Sequence, residues 1–198
     1  SVKELRSIGI QPDMIILRTE VNIDREVREK IALFCDIDKK AVIQATDANI
    51  LYEVALNLQK QHVDDYICNY FKLETKEADM TNWLSLITKT QELKGEIKIG
   101  LIGKYVALHD AYLSVHEALK HAGYEIGKKI HVKWINSDEI NKDNASELLK
   151  DVDGVFIPGE FGMRSAEGEI AACKYARENN VPYFGICLGM EVAAIEYA

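Results

Sequence analysis

The sequence lacks the features that mark membrane, secreted and repetitive proteins. Its 198 residues contain no apolar run long enough to cross a bilayer, and the first residues do not have the basic and apolar regions of a signal peptide. We find no internal repeat and no low-complexity tract. With 47% hydrophobic and 28% charged residues, the composition predicts an ordinary globular protein, which we expect in the cytoplasm and without a membrane partner.

Cysteine is also sparse and forms no recognisable pattern. The four cysteines lie far apart and include no C-x-x-C pair, so neither a zinc site nor a disulfide framework is indicated. We therefore expect no metal site in this chain. We interpret Cys35, Cys68 and Cys173 as reduced core residues, whereas Cys187 has a different sequence context.

The chain has no excess of positive charge. Its 24 Lys and Arg residues are scattered among 32 Asp and Glu residues, which gives a formal net charge of −8. This balance argues against a nucleic-acid partner, because phosphate binding needs a basic patch. A mononucleotide can still be held by one or two lysines and backbone N–H groups. The G-x-x-x-x-G-K-[ST] loop that binds nucleotide phosphates in many proteins does not occur.

Strand-like and helix-like segments alternate along the chain. This alternation predicts an α/β fold with parallel Rossmann-like sheets and flanking helices. Mixed charges at 74–79 and a short helix at 83–87 interrupt the pattern. We therefore predict two domains, residues 1–73 and 96–198, joined by a linker over 74–95.

Three predicted helices carry a stripe of residues at helical spacing. The stripes are Val27, Lys30, Ile31 and Phe34 in a helix over 25–35, Ile50, Val54 and Leu58 in a helix over 49–60, and Tyr112, Val115, Leu119 and Ala122 in a helix that Gly123 ends.

The most informative segment is the run G-I-C-L-G at Gly185–Gly189. It follows a strand-like run at 181–184 and precedes a helix predicted over 190–197. The serine of G-x-S-x-G hydrolases lies on such a strand-to-helix turn, and here a cysteine takes its place. The glycines permit the tight turn, and the positive end of the helix dipole favours a thiolate at Cys187. The alternative is that Cys187 is a small buried residue.

A second glycine-rich loop strengthens the first interpretation. The run P-G-E-F-G at 158–162 follows a buried strand predicted over 153–157. In a parallel sheet, loops at the carboxyl ends of strands lie at the same edge, so the two loops should face each other. We predict an oxyanion hole formed by the Leu188 N–H and this loop, through Gly159 and the Glu160 N–H.

Longer motifs give the chain a family resemblance. P-G-E-F-G-M-R-S-A-E-G at 158–168 and P-Y-F-G-I-C-L-G-M at 182–190 resemble the glutaminase domain of class I glutamine amidotransferases. G-K-Y at 103–105, D-A-Y-L-S-V-H-E-A-L at 110–119 and residues 1–13 are similar to the CTP synthase family in particular. The resemblance covers essentially the whole chain, which we therefore interpret as an interior fragment of a member of that family. It implies that residues 1–73 are the C-terminal part of the synthetase domain and residues 96–198 the N-terminal part of the glutaminase domain, so that both domains are incomplete.

That resemblance implies a two-stage enzyme. Its glutaminase domain releases ammonia from glutamine, with Cys187 as the nucleophile. Its synthetase domain uses ATP and Mg²⁺ to phosphorylate UTP, and ammonia then displaces the phosphate to give CTP. The resemblance also implies GTP as an activator, CTP as a feedback inhibitor and a homotetramer at full length, with the Mg²⁺ ligands outside this chain.

The resemblance also assigns nucleotide-binding positions. Lys30 matches a lysine that contacts the phosphates of UTP or CTP, although its sequence context alone indicates a solvated helix position. Thr46, Asp47 and Ala48 match a stretch near the ATP adenine. Asp47 is equally compatible with an N-cap of the helix that follows.

Several positions near the nucleophile depart from the family pattern. Arg164 and Glu167 match the family's GTP lid, or else form an i, i+3 pair that opens a helix, and Ser165 replaces a glycine of this lid. Glu191 replaces a glutamine that contacts the substrate and cannot donate as an amide does. Glu160 replaces a glycine, so a glycine-only backbone conformation there would cost on the order of 1–3 kcal/mol. Its carboxylate would also disfavour a nearby thiolate.

These departures leave an alternative function open. The domain would then be a glutaminase-like module without hydrolytic activity that serves a structural or regulatory role beside an ammonia-dependent synthetase. The family's catalytic His and carboxylate follow the nucleophile at a distance, whereas all five histidines precede Cys187 here. We therefore expect the isolated chain to be inactive.

Overall fold

The computed structural model describes residues 1–160 and 166–198. The chain divides into two compact units, Ser1–Thr88 and Lys89–Ala198. The point of division lies inside the segment 74–95, for which the sequence predicts a linker. No helix in the described part of the chain is long and apolar enough to cross a membrane.

The first unit contains a two-stranded parallel sheet. Strand β1 (Ile15–Thr19) pairs with β2 (Val42–Thr46) in register, so that Ile15 lies opposite Val42 and Thr19 opposite Thr46. A 3₁₀ turn at Lys39–Ala41 precedes β2. The helices are α1 (Val2–Ser7), α2 (Arg25–Cys35), α3 (Glu53–Gln59), α4 (Val63–Tyr70) and α5 (Thr81–Gln91), of which the last continues past Thr88.

Helix α2 begins and ends where the sequence predicts, but its inward face differs. Ala32 is buried at 5% exposure, whereas Val27 and Phe34 of the predicted stripe are 44% and 80% exposed. Helix α2 contacts β2 and the 3₁₀ turn, and the small side chain of Ala32 permits this close approach. The periodicity identified a stripe correctly as helical, but it could not show which stripe meets the sheet.

The helix predicted over 49–60 is shorter in the structure. Residues 49–52 form bends and turns, and α3 starts at Glu53 with Tyr52 at its N-cap position. The N-cap interpretation of Asp47 is therefore wrong, because the helix begins too far along the chain. The carboxylate of Asp47 instead forms an ion pair with Arg18.

The second unit contains a four-stranded parallel sheet in the order β4–β3–β5–β6. Its strands are β3 (Glu96–Gly103), β4 (Lys129–Asn136), β5 (Gly154–Ile157) and β6 (Tyr183–Gly185). Its helices are α6 (Leu113–Glu125), α7 (Ala145–Leu149), α8 (Ala166–Glu178) and α9 (Leu188–Tyr197), with 3₁₀ turns at His109–Tyr112 and Ser137–Glu139. The predicted α/β fold with parallel sheets and flanking helices is confirmed.

Side chains cover both faces of this sheet. Ile102 and Ile157 belong to a buried cluster that includes residues of α7, α8 and α9, while Leu101 and Phe156 pack with Tyr112 on the opposite face. Successive residues of a strand point to opposite faces, so adjacent apolar residues serve two cores. All four residues of β5 are buried, which places this strand at the centre of the unit.

Gly123 does not end α6, as the sequence suggested. The helix continues to Glu125, and Gly127 with φ of +67° follows it. A Cβ atom at residue 123 would lie 2.6 Å from both the Lys128 carbonyl oxygen and Cγ1 of Ile130. Gly123 is thus required by the close approach of α6 to the start of β4.

Candidate active site

Cys187 lies on a strained turn between β6 and α9. Its backbone has φ of 53° and ψ of −110°, and it occupies the N-cap position of the helix. This region is unfavourable for residues with a side chain and costs on the order of 1–3 kcal/mol. The side chain is exposed. The interpretation of Cys187 as a small buried residue is therefore wrong.

The two flanking glycines are needed for space and not for an unusual φ. Neither is in the left-handed region. A Cβ atom at residue 185 would lie 2.4 Å from the carbonyl carbon of Gly189, and one at residue 189 would lie 2.3 Å from the Ile157 carbonyl oxygen. The two glycines therefore permit the tight turn because they lack side chains, while Cys187 itself has the positive φ.

The two glycine-rich loops lie next to each other at the carboxyl edge of the sheet. Ile157 at the end of β5 pairs with Gly185 at the end of β6, and the Ile186 N–H donates to the Ile157 carbonyl at 3.0 Å. A Cβ atom at Gly159 would lie 3.2 Å from Cβ of Cys187 and 3.9 Å from its Sγ. The parallel pairing of β5 and β6 therefore positions the Pro158–Glu160 loop against the thiol.

The start of α9 offers a backbone donor beside the thiol. Met190 and Glu191 donate their N–H groups to the Cys187 carbonyl at 3.0 and 3.1 Å. Leu188 is the first residue of the helix, so its N–H has no intrahelical acceptor. Its side chain is buried in the core, which fixes the position of this N–H. The geometry suits a donor to a developing oxyanion.

Glu160 does not behave as its sequence context suggested. Its φ is not positive, so the expected glycine-only strain is absent. Its carboxylate is fully buried and accepts hydrogen bonds from the Lys104 backbone N–H at 2.7 Å and from the Tyr112 hydroxyl. The Lys104 ammonium lies 3.5 Å away. These partners lie at the end of β3 and in the 3₁₀ turn before α6, and Cys187 is not among them.

A second buried acid lies near this cluster. Glu169 on α8 is fully buried, and neither of its carboxylate oxygens has a hydrogen-bond partner among the described residues. Burial, together with the nearby charge of Glu160, raises the pKa of Glu169 to about 7. Burial and the hydrogen bond to Glu160 also raise the pKa of Tyr112. The sequence did not indicate that Tyr112, Glu160 and Glu169 lie near one another, because they belong to three separate segments of the chain.

Glu191 and Glu167, which were also predicted to belong to the glutaminase site, lie on different helices. Glu191 is exposed in the first turn of α9, one turn beyond Cys187. Glu167 is exposed in the first turn of α8. Arg164 and Ser165 of the predicted lid lie outside the described residues, so the lid stays a prediction.

Each of the five histidines contacts a residue outside the Cys187 turn. The contacts are His62 with Asp65, His131 with Glu96, His121 with Tyr124, and His109 and His116 with Trp134. None of these partners is Cys187. Burial, with the charge of Lys120, lowers the pKa of His116, which favours its neutral form.

The first unit has its own candidate site at the carboxyl end of β2. A cavity of about 460 Å³ is lined there by Thr46, Asp47 and Ala48, together with Arg18 at the end of β1. Arg18 pairs with Asp47. Arg18 was not among the residues predicted from the sequence, although its position near the end of a parallel strand was a usable signal.

Lys30 is not part of this cavity. It is exposed on α2. A larger cavity of about 720 Å³ is lined by Arg28, Lys39 and Lys40, but not by Lys30. Among the described residues, no group of three His, Cys, Asp or Glu side chains is arranged to hold a metal ion.

Comparison with known proteins gives the family. One family model, CTP synthase N-terminus, matches residues 1–73, and another, glutamine amidotransferase class-I, matches residues 107–198. CTP synthase from Bacillus subtilis (strain 168) is 56% identical over 198 residues, which is 100% of this chain and 37% of that protein. CTP synthase from Bacillus pumilus is 54% identical with the same coverage. The chain belongs to the CTP synthase family. It spans 37% of the length of these curated relatives.

A solved structure from this family is also similar. The Trypanosoma brucei CTPS glutaminase domain with bound acivicin matches with a TM-score of 0.48 and 38% identity, covering 50% of this chain and 39% of that one.

Proposed function

We propose that this chain is part of a CTP synthase whose glutaminase activity depends on Cys187. The observation that carries the proposal is the exposed Cys187 on a strained strand-to-helix turn, with Gly159 against its side chain. A strained backbone at a nucleophile is a feature of functional sites. Membership of the CTP synthase family supports the same assignment.

The proposed reaction at this site is acyl transfer. The Cys187 thiolate attacks the side-chain carboxamide carbon of glutamine. The amide nitrogen takes up a proton as the C–N bond breaks, so that ammonia leaves and a thioester remains on Cys187. Water then hydrolyses the thioester to glutamate and restores the thiol. The N–H groups of Leu188 and Glu160 stabilise the oxyanion in both steps. The general base is proposed to be the family's His–carboxylate pair, which residues 1–198 do not supply.

Ammonia is proposed to serve the synthetase reaction. ATP transfers its γ-phosphoryl group to the 4-oxygen of UTP, and ammonia displaces that phosphate to give CTP, ADP and inorganic phosphate. Mg²⁺ would neutralise the phosphate charge in this step, and the family resemblance assigns its ligands to residues outside 1–198. In this proposal Arg18, Thr46, Asp47 and Ala48 hold the ATP adenine, and Lys30 binds the phosphates of UTP or CTP.

Regulation and assembly are proposed from the family alone. GTP would activate glutamine hydrolysis through the Arg164–Glu167 lid, and CTP would act as a feedback inhibitor. The complete enzyme would be a cytoplasmic homotetramer.

The test is glutamate release by the complete gene product, compared with its Cys187→Ala variant. We expect release by the parent protein, stimulated by GTP, and no release by the variant, which should still form CTP from added ammonia. Loss of glutamate release in both proteins, with ammonia-dependent CTP formation intact, would instead support a domain without hydrolytic activity. The exposed Glu191, where the family has glutamine, is the observation that keeps this second function in consideration.

A further inference from the structure

The carboxylate of Glu160 lies in a buried cluster of charged and polar groups. Its side chain is 0% exposed and that of Lys104 is 9% exposed. A buried charge needs a partner of opposite sign and hydrogen bonds to offset the loss of hydration. Here one oxygen accepts from the Lys104 N–H at 2.7 Å and from the Tyr112 hydroxyl, and the other lies 3.5 Å from the Lys104 ammonium.

The cluster joins two segments that are separate in sequence. Lys104 follows the last residue of β3, and Tyr112 is buried against Leu101 and Phe156. Glu160 comes three residues after the end of β5, the strand beside β3. Its side chain therefore holds the loop after β5 against the end of β3.

Gly103 provides the space for this arrangement. A Cβ atom at residue 103 would lie 2.5 Å from Oε1 of Glu160 and 2.6 Å from the Tyr112 hydroxyl oxygen. A side chain there would displace the carboxylate or the Tyr112 hydroxyl, and so disturb their hydrogen bond, while leaving Glu160 itself in the chain. This makes residue 103 a second, independent point at which the arrangement can be tested.

Consecutive residues of the loop face the two sides of the site. Gly159 lies against Cys187, and the side chain of Glu160 is held by Lys104 and Tyr112. A loop held on one side has less freedom on the other, and oxyanion donors act only when held in place before the reaction.

We propose that Glu160 is a positioning residue of the glutaminase, whose buried carboxylate holds the Gly159–Glu160 backbone at the correct distance from Cys187. The proposal rests on the glutaminase function proposed above. Glu160 is thus not an inhibitory acid beside the thiol, but the residue that fixes the oxyanion loop to β3.

The experiment compares Glu160→Ala, Glu160→Gln and Gly103→Ala in the complete gene product. We expect Glu160→Ala and Gly103→Ala to lower kcat for glutamine hydrolysis by at least about tenfold with KM changed by less than about threefold, because a displaced oxyanion donor affects the transition state most. Glu160→Gln retains an acceptor for Lys104 and Tyr112, so it should recover most of the rate. Glu147→Ala, an exposed acid paired with Lys150, is the matched control.

Two further measurements distinguish a displaced oxyanion loop from general damage to the fold. Alkylation of Cys187 by iodoacetamide needs no oxyanion hole, so its rate should stay within about twofold in Glu160→Ala. Amide hydrogen exchange at Lys104 should be faster in Glu160→Ala than in Glu160→Gln, because the acceptor of that N–H is lost.

Three outcomes would overturn the proposal. They are an unchanged kcat in Glu160→Ala, an equal loss of ammonia-dependent CTP formation, and unaltered exchange at Lys104. Absence of glutamate release from the parent protein would overturn the proposed glutaminase function, and the exchange at Lys104 would then report separately on the anchoring itself.

Discussion

The backbone of Gly189 passes so close to Ile157 that a Cβ atom at residue 189 would lie 2.3 Å from the Ile157 carbonyl oxygen. This contact places the first turn of α9 directly over the end of β5. The Cys187 turn and the Pro158–Glu160 loop are therefore held together by backbone packing, with the Tyr183 hydroxyl donating to the Gly189 carbonyl at 2.5 Å.

We predict that Gly189→Ala destabilises the protein by about 3 kcal/mol or more, because the obstacle is backbone and cannot move like a side chain. The free energy of unfolding in urea measures this. Gly154→Ala is the control, since its new Cβ would lie 3.1 Å from the flexible end of Ile99 and at an ordinary contact distance of 3.6 Å from the Pro182 carbonyl oxygen. Equal stability of the two variants would contradict the packing role of Gly189.

The positive φ of Cys187 should lower the stability of the folded protein. We predict that Cys187→Gly is more stable than Cys187→Ala by about 1 kcal/mol, because glycine accepts a positive φ without strain whereas alanine does not. Both variants lack the thiol, so the comparison isolates the backbone. Thermal unfolding of the two proteins provides the measurement, and a more stable alanine variant would show that the turn is unstrained.

Glu169 should make stability depend on pH. Its folded pKa of about 7 lies above the ordinary value of 4.5, so the folded state binds the proton more tightly. Stability from this group is fully present below about pH 4.5 and is lost as pH rises to about 7, on the order of 3 kcal/mol at most.

The measurement is urea unfolding at several pH values for the parent protein and Glu169→Gln. We expect the stability of the parent, relative to the variant, to fall across this interval. A difference that does not vary with pH would mean that Glu169 titrates normally. Using the difference removes the contribution of other groups, such as Asp151, whose pKa is lowered by Lys133.

The two units should differ in local stability. The first has only two strands and leaves Leu33 and Phe34 78% and 80% exposed, whereas the second has four strands with a core on each face. A two-stranded sheet is marginal by itself. We predict faster amide hydrogen exchange in β1 and β2 than in β3 and β5 of the 198-residue chain. Equal protection in both sheets would contradict this.

Arg18 provides a test of the proposed adenine site. If the cavity at the end of β2 binds ATP, Arg18→Ala should raise KM for ATP by about tenfold, since a contact worth ~1.4 kcal/mol is lost. Arg25→Ala, which removes an exposed arginine paired with Glu29, is the control. An unchanged KM for ATP would place the adenine elsewhere.

Much of the architecture could be predicted from residue patterns. The bounds of α2 and the order of strands and helices in the second unit followed from periodicity and from glycine and proline positions. The errors came from contacts with distant segments. Gly123 resembled a helix stop, but it is a packing glycine against β4, and residues 49–52 have helical composition but form turns.

In the candidate site, too, local features could be predicted from the sequence, whereas contacts between distant segments could not. The G-I-C-L-G run by itself identified Cys187 and the strand-to-helix turn, because this local motif encodes a local conformation. The direction of the Glu160 side chain could not be predicted, since the sequence places an acid near Cys187 but does not show which way that acid points. That direction depends on Lys104 and Tyr112, which lie 56 and 48 positions away.

The sequence by itself determined the alternation of strands and helices, the family and the motif that singles out Cys187, because each is encoded in short-range patterns of residues. Only the tertiary structure decided which face of α2 is buried, why Gly185 and Gly189 must lack side chains, and where the carboxylate of Glu160 lies. These depend on distances between segments far apart in the chain, which exist only when the parallel strands have paired and the helices have packed on them.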